Sequence, residues 1–167
     1  NQNPSSATDM YNTAVGTDAG LAVTTGTANT FIGGLAGDSI TVGHRNIAVG
    51  KDTLKTNVGG AKNVAIGDGA LSTLNSGSTA SDMQNTAVGH FAGGAMTTGT
   101  NNTVIGALAG DALTTGGNNV AVGHLALSTE DTDSGNVAIG DSAMENANGS
   151  SVQSVAVGFE ALHNLST

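Results

Sequence analysis

The side chains that could bind a metal ion are concentrated in one acidic turn. Glu130, Asp131 and Asp133 place three carboxylates within four residues, and carboxylate oxygens are the ligands that Ca²⁺ prefers. The spacing of these acids does not follow the Gly-rich nonapeptide of calcium-binding β-rolls. A solvated acidic turn is therefore the stronger interpretation, and calcium binding is kept as an alternative.

The four histidines do not predict a metal site within one chain. His90 and His124 occupy equivalent positions of the repeat described below, but Ala107 occupies that position in the repeat between them. If the repeats stack at a strand spacing of ~4.8 Å, the two rings lie roughly 9–10 Å apart, which is too far to share one ion. A three-fold axis could instead bring three copies of one histidine together. Serines are plentiful, but none has a plausible pairing with a histidine and an acid, so we predict no enzyme activity and no cofactor.

These side chains are carried by a five-residue motif, Asn-x-Ala-Val-Gly with Ile allowed for Val, that occurs nine times. Successive motif glycines are 17 residues apart, except for one interval of 22 and one of 18. A fixed period this short indicates one small structural unit stacked on copies of itself. The motif glycines are Gly16, Gly33, Gly50, Gly67, Gly89, Gly106, Gly123, Gly140 and Gly158.

Each motif is predicted to be a β-strand. The β-branched residues before the glycine suit a pleated sheet, and the glycine permits the turn that follows. A repeat of 17 residues has room for two short strands and two turns but not for a strand and a full helix, and no window has helical periodicity. We therefore predict an all-β parallel solenoid of nine coils, in which each strand pairs with its counterpart in the next coil.

Asparagine opens the motif in eight of the nine copies. In a stacked solenoid these side chains would lie above one another every ~4.8 Å, where amides can hydrogen-bond along the stack. A turn-forming role would explain one asparagine but not a whole column. The predicted structural ladder comprises Asn12, Asn29, Asn46, Asn63, Asn85, Asn102, Asn119 and Asn136.

The residue before each motif glycine is always Val or Ile, and alternation along a strand places it on the face opposite Asn and Ala. Neither face carries a charge in any copy, which is typical of a strand covered on both faces. Since the small Ala and Gly side chains suit a thin interior, we predict that other copies of the chain cover the Val/Ile side. This predicted oligomer interface comprises Val15, Ile32, Val49, Ile66, Val88, Ile105, Val122, Ile139 and Val157.

Charged residues provide a separate test of the register. Lys51 lies one repeat before Asp68, and Asp38 lies one repeat before Lys55, each pair in equivalent positions. In-register stacking would place opposite charges next to each other in both pairs, which is a favourable cross-strand arrangement.

The composition excludes several function classes. The formal net charge is −9, and all four Lys and Arg residues lie between positions 45 and 62, so there is no basic stripe for nucleic acid or for an anionic membrane. With no cysteine there is neither a disulfide framework nor a thiolate metal site. No apolar run is long enough to insert into a membrane. We expect the chain to be a segment of a longer protein.

The repeats define one domain. Residues 1–10 are a lead-in segment with the only proline, and residues 11–167 form the β-roll repeat domain. Five extra residues enter within residues 76–82, before the fifth copy, and such insertions usually bulge from one face. Because binding residues are often on loops carried by a rigid scaffold, we predict receptor contacts there. The candidate contact residues are Ser76, Ser78, Thr79, Ser81 and Asp82.

The repeat resembles those of two related kinds of fibrous protein. Its Asn-Thr-Ala-Val-Gly core is similar to the Asn-Ser-Val-Ala-Ile-Gly motif in the head of YadA-type trimeric autotransporter adhesins. The 17-residue spacing and the Thr-Thr-Gly-x-Asn-Asn turns are more similar to repeats of phage tail fibres and of bacterial surface proteins that often end in a self-cleaving chaperone domain. The resemblance covers residues 11–165 and implies a left-handed β-roll in a homotrimer, with chains intertwined or side by side.

We expect a non-enzymatic attachment segment of an extracellular trimeric fibre, on a virion tail or a bacterial surface, with a glycan or protein receptor. The alternative is a purely structural shaft whose binding residues lie elsewhere in the full-length protein. A glycan-cleaving β-helix enzyme is less favoured, because the acids are scattered over many columns. An ice-binding solenoid is also less favoured, because the Thr-Thr positions of the turns are interrupted at residues 57–59 and 75–76.

Overall fold

The chain folds as a parallel β-solenoid. A computed structural model describes residues 10–129, 132–146 and 153–164. Nine three-residue strands, one per motif, form a single parallel sheet in sequence order, and this part of the chain contains no helix. The prediction of an all-β parallel solenoid is therefore confirmed. The nine strands enclose eight full coils between them. The strands of the main sheet are β1 (Thr13–Val15), β2 (Thr30–Ile32), β3 (Ile47–Val49), β5 (Val64–Ile66), β7 (Thr86–Val88), β8 (Thr103–Ile105), β9 (Val120–Val122), β10 (Val137–Ile139) and β11 (Val155–Val157), and a separate pair is formed by β4 (Gly60–Ala61) and β6 (Ser81–Asp82).

Every strand of the main sheet pairs in register with its counterpart one repeat away. Thr103 pairs with Val120 at the 17-residue period. The register also holds across the 22-residue interval, where Val64 pairs with Thr86. The extra residues of that repeat are therefore accommodated outside the main sheet.

The glycine that follows each of the first eight strands of the main sheet is required by the close approach of neighbouring coils. Gly106 has a φ of +139°, and a Cβ atom at this position would lie 2.3 Å from the carbonyl oxygen of Gly123. A gap this small excludes any side chain, and the positive φ also favours glycine. The same glycine-on-glycine contact recurs from Gly16 to Gly140, which explains the glycine of the first eight motifs.

Each coil contains one strand of the main sheet, so the prediction of two strands per coil is wrong. Beyond the motif the chain turns through residues with positive φ, such as Asp52 at 56° and Leu54 at 47°, and such residues cannot continue a strand. The coils still bond to one another in these turns, because the Gly37 N–H donates to the Thr53 carbonyl at 2.9 Å. Within the described ranges, β4 and β6 are the only strands outside the main sheet.

In part of the thin interior, two core positions exchange volume between neighbouring coils. The middle residue of most strands is a fully buried alanine, and in the coil of Ala48 the neighbouring core position holds the fully buried Leu54. In the coil before it, Phe31 replaces the alanine and Gly37 replaces the leucine. A Cβ atom at Gly37 would lie 2.5 Å from the Phe31 ring, so the aromatic side chain fits because this position is glycine.

The charged side chains pair differently from the prediction. Lys51 and Lys55 both contact the carboxylate of Asp52 in their own coil, and Lys55 Nζ lies 2.9 Å from Asp52 Oδ1. The expected contacts of Lys51 with Asp68 and of Asp38 with Lys55 are absent from the ion pairs of the described residues. The pKa of Lys51 is raised mainly by its hydrogen bond to Asp52, and only weakly by the charge of Asp68. The turn places a carboxylate of the same coil closer to these ammonium groups than the next coil does.

We predict that Phe31 and Gly37 are energetically coupled. Phe31→Ala leaves a cavity and should lower the free energy of unfolding by about 3–5 kcal/mol. Gly37→Leu alone overpacks the coil, whereas the double variant reproduces the Ala and Leu combination of the following coil. The double variant should lose at least about 1 kcal/mol less than the sum of the single losses, measured by urea denaturation.

The control combines Phe31→Ala with Gly110→Leu, a change at the equivalent position of a distant coil. The losses in this control should add, because the two sites share no contact. Additive losses in the Phe31 and Gly37 pair would contradict the exchange of volume between these positions.

Candidate functional site

The outward side of the main sheet is a continuous apolar surface. None of the nine predicted interface residues is buried by its own chain. Six of them are exposed, with exposed fractions from 38% at Ile105 to 66% at Val157, and the other three are half-buried. The first residue of each strand, always Thr, Ile or Val, lies on the same side and is also exposed or half-buried. We call these two columns together the Val/Ile face. At ~4.8 Å per coil, nine strands give it a length of about 38 Å.

The other side of each strand packs into the interior. The alanine in the middle of β3, β5, β7, β9 and β10 is fully buried, and the asparagine before the strand is buried in each of these coils. The chain therefore buries the small face of the sheet and leaves the face with the larger aliphatic side chains open to solvent.

The asparagine column forms a hydrogen-bonded ladder inside the solenoid, as Asn102 illustrates. Its Oδ1 accepts the backbone N–H of Asn119 at 2.9 Å, and its Nδ2 donates to the Gly116 carbonyl at 2.8 Å. The same Nδ2 lies 3.2 Å from Asn85 Oδ1, which also accepts the backbone N–H of Asn102. The amide of Asn102 thus binds the preceding coil, the following coil and the turn that leads to the following coil.

Sequence reasoning predicted contacts between the amides but missed their bonds to the backbone. Direct amide-to-amide bonds are present at four steps between Asn29 and Asn102. A bond from Oδ1 to the next backbone N–H is present at every step and continues past Asn136 to the N–H of Ser154 at 3.0 Å. Because every residue type except proline has a backbone N–H, the loss of the amide at Ser154 ends the ladder without breaking this last bond.

The candidate metal ligands are not brought together by the part of the chain that can be described. Glu130 and Asp131 lie outside the described residues. Asp133 is half-buried, and its backbone carbonyl accepts a hydrogen bond from Asn119 Nδ2 at 2.9 Å. Residues 10–129, 132–146 and 153–164 contain no group of three or more His, Asp or Glu side chains that could hold a metal ion.

The histidines lie in separate local environments. His124 Nδ1 is 3.5 Å from a carboxylate oxygen of Asp141 in the next coil. His90 packs edge-on against Phe91, with 4.6 Å between the ring centroids. These contacts are local, and neither histidine contacts the other.

The candidate receptor-contact residues lie on one outward-facing segment. Ser76 is half-buried and the other four are exposed. The end of the segment is anchored, because Ser81 and Asp82 form β6 and pair with Gly60 and Ala61 of β4. The insertion is thus a loop closed by a strand pair.

An ion pair holds the end of the insertion. Asp82 Oδ2 lies 2.6 Å from Lys62 Nζ, and this hydrogen bond lowers the pKa of the Asp82 carboxyl. Sequence reasoning missed the pair, because its members are 20 residues apart across the irregular interval and do not share a position of the repeat. Their opposite charges were the only available signal.

Comparisons with protein-family models, with curated proteins and with solved structures find no match to this chain. In the part of the chain that the structure describes, no helix has the length and apolar character of a membrane-spanning segment. The geometry of the solenoid and the resemblance of its repeat are therefore the basis for a functional proposal.

We predict that the ladder stabilises the middle of the stack more than its end. Asn102→Leu leaves the Gly116 carbonyl and the Asn119 N–H without partners in a buried site, and each unsatisfied group costs roughly 1–3 kcal/mol. Asn12→Leu is the matched control, since Asn12 is half-buried in the first coil. The thermal midpoint should fall further for Asn102→Leu, and equal shifts would argue against a continuous ladder.

Proposed function

We propose that this chain is a rigid, non-enzymatic segment of an extracellular homotrimeric fibre and takes part in attachment to a surface. The Val/Ile face is the observation on which the proposal depends. It runs the length of the main sheet, carries no charge and is left uncovered by the chain itself. Soluble monomers rarely expose an apolar surface of this extent.

A second and third copy of the same chain are the occupants that fit this face best. Its residues repeat in every coil, so an identical face can align with it along its whole length. The absence of charges removes electrostatic repulsion between like copies. Closed cyclic symmetry is the usual outcome of such contacts, because it leaves no copy of the face exposed. The number three comes from the resemblance of the repeat to trimeric fibres.

The attachment role is supported by the contrast between a regular scaffold and a few irregular segments. Residues 77–82 are exposed and are anchored at one end by β6 and by the Lys62 to Asp82 ion pair. A segment held on a rigid support can present polar side chains with little loss of conformational entropy on binding. We therefore assign the contacts with a glycan or protein receptor on a cell surface first to this segment.

We predict that Val88→Asp combined with Ile105→Asp prevents assembly. Two carboxylates per chain in the middle of the Val/Ile face would have to be buried without partners, which is strongly unfavourable. Static light scattering at micromolar concentration should give a trimer mass for the unmodified chain and a monomer mass for the variant.

The matched control is Thr98→Asp combined with Thr115→Asp, which adds the same charge at exposed turn positions away from the strands. This control should remain trimeric. A folded, soluble monomer for the unmodified chain would refute the trimeric fibre.

We also predict that deletion of residues 78–82 leaves the fold and the assembly intact. The deletion restores the 17-residue interval and removes no residue of the main sheet. It also removes β6 and the partner of Lys62, so the thermal midpoint should fall by a few degrees. Asp82→Asn is the control that removes only the ion pair. Loss of assembly on deletion would mean that the segment is structural.

A further inference from the structure

A surface groove of about 370 Å³ crosses three successive coils, two to six residues after their motif glycines. It lies outside the strands, outside the Val/Ile face and outside the insertion. We call it the Gly69 groove. It is lined by Asp52, Lys55, Thr56, Gly69, Ser72, Thr73 and Phe91.

The groove exists because one coil lacks a side chain that its neighbours have. The second position after the motif glycine holds Asp52, Gly69 and Phe91 in three successive coils, and Leu108 and Leu125 in the next two. Gly69 is the only glycine of this column. The resulting gap separates an acidic wall from an aromatic one.

The aromatic wall is a ring held in a defined orientation. A Cβ atom at Gly69 would lie 2.7 Å from Cε1 of Phe91, so the ring reaches over the bare backbone of the preceding coil. The edge-on contact with His90 orients the ring further. Phe91 nevertheless remains 41% exposed, which leaves ring surface available to a ligand.

The polar wall is a charge-compensated carboxylate. Asp52 contacts both Lys51 and Lys55, and the hydrogen bonds from these two residues lower the pKa of its carboxyl, so it is ionised at neutral pH. Hydroxyl groups complete this wall. Thr73 Oγ1 lies 2.8 and 2.9 Å from two backbone carbonyls, which compete for its single hydrogen, and Thr56 Oγ1 donates to a carbonyl at 3.1 Å. The lone pairs of both hydroxyl oxygens can therefore accept a hydrogen bond.

We propose that the Gly69 groove binds one neutral sugar ring of a surface glycan. The apolar C–H face of a hexopyranose would pack on Phe91, and its hydroxyls would donate to Asp52 and accept from Lys55. The volume is at the small end of the range for ligand pockets, about 300–1,000 Å³, which favours a single ring.

The charges of the groove favour a neutral ligand. An anionic ligand would meet the Asp52 carboxylate, and a cationic ligand would meet Lys55. A polyhydroxyl ligand can instead use the acceptor and the donors together without displacing the ion pairs. The proposal deepens the attachment function above and takes its biological role from it.

The test is saturation-transfer-difference NMR of the full chain with glucose, galactose, mannose, N-acetylglucosamine and N-acetylgalactosamine, followed by titration of the sugar that binds best. Phe91→Leu keeps an apolar side chain of the kind found at Leu108 and removes the ring. An aromatic contact contributes about 0.5–1.5 kcal/mol, so affinity should fall by up to about tenfold. Gly69→Leu should abolish binding, because the new side chain fills the groove.

The backbone should tolerate Gly69→Leu, since Gly69 has a φ of +69° and Leu108 and Leu125 already adopt φ values of 56° and 55° in this column. The new Cβ atom would lie 2.7 Å from Cε1 of Phe91, so the Phe91 ring must turn away, which also removes the aromatic wall of the groove. Circular dichroism checks this for each variant. The matched control is Leu125→Ala, a change in the same column outside the groove, which should bind as the unmodified chain does.

Binding that Gly69→Leu abolishes and Leu125→Ala preserves supports the groove. The proposal is overturned if none of the five sugars binds, if sialic acid binds and none of them does, or if both groove variants bind unchanged. Light scattering separates this result from the fibre proposal. A trimer that binds no sugar refutes the groove alone, and a monomer that binds through Phe91 refutes the trimer alone.

Discussion

Each coil is fixed to the next by the side chain of one buried asparagine. The amide of Asn102 holds the backbone N–H of Asn119, the Gly116 carbonyl and the amide of Asn85 at the same time. A slip of one residue would turn this side chain to the outside and leave these groups unpaired in the interior. The register of the main sheet, and through it the position of every other column, therefore depends on the ladder.

The thin interior that follows from this stacking decides what the chain presents to its surroundings. Neighbouring coils approach so closely at Gly106 that no side chain fits, and most strands contribute only alanine to the core. The larger aliphatic residues of the strands consequently face outward. A solenoid built this way has a hydrophobic core of its own and a second apolar surface, the Val/Ile face, that a single chain leaves open. Trimerisation is our proposal for how that surface is covered.

Departures from the repeat then create local features on a uniform support. Phe31 fits into the stack because Gly37 leaves room for its ring. A groove forms at Gly69 because this residue has no side chain and Phe91 fills only part of the resulting space. The insertion ends in a strand pair, β4 with β6, that has no counterpart among the described residues of the other coils. In each case the unusual residue acts through its neighbour in the column, since adjacent coils are the nearest contacts of any residue in a solenoid.

The sequence by itself determined the stacking of the coils, because a fixed period with β-branched, asparagine and glycine columns is compatible with few arrangements other than an in-register parallel solenoid. It also identified the residues of the ladder and of the Val/Ile face, since strand alternation assigns each to a side. The tertiary structure alone decided that each coil has one strand of the main sheet, that Lys51 pairs with Asp52 rather than with Asp68, and that Asp82 contacts Lys62. These outcomes depend on positive φ angles in the turns and on side-chain directions at the corners, and neither follows a simple period along the chain. The Gly69 groove belongs to the same class, because a gap is defined by what three neighbouring coils leave empty.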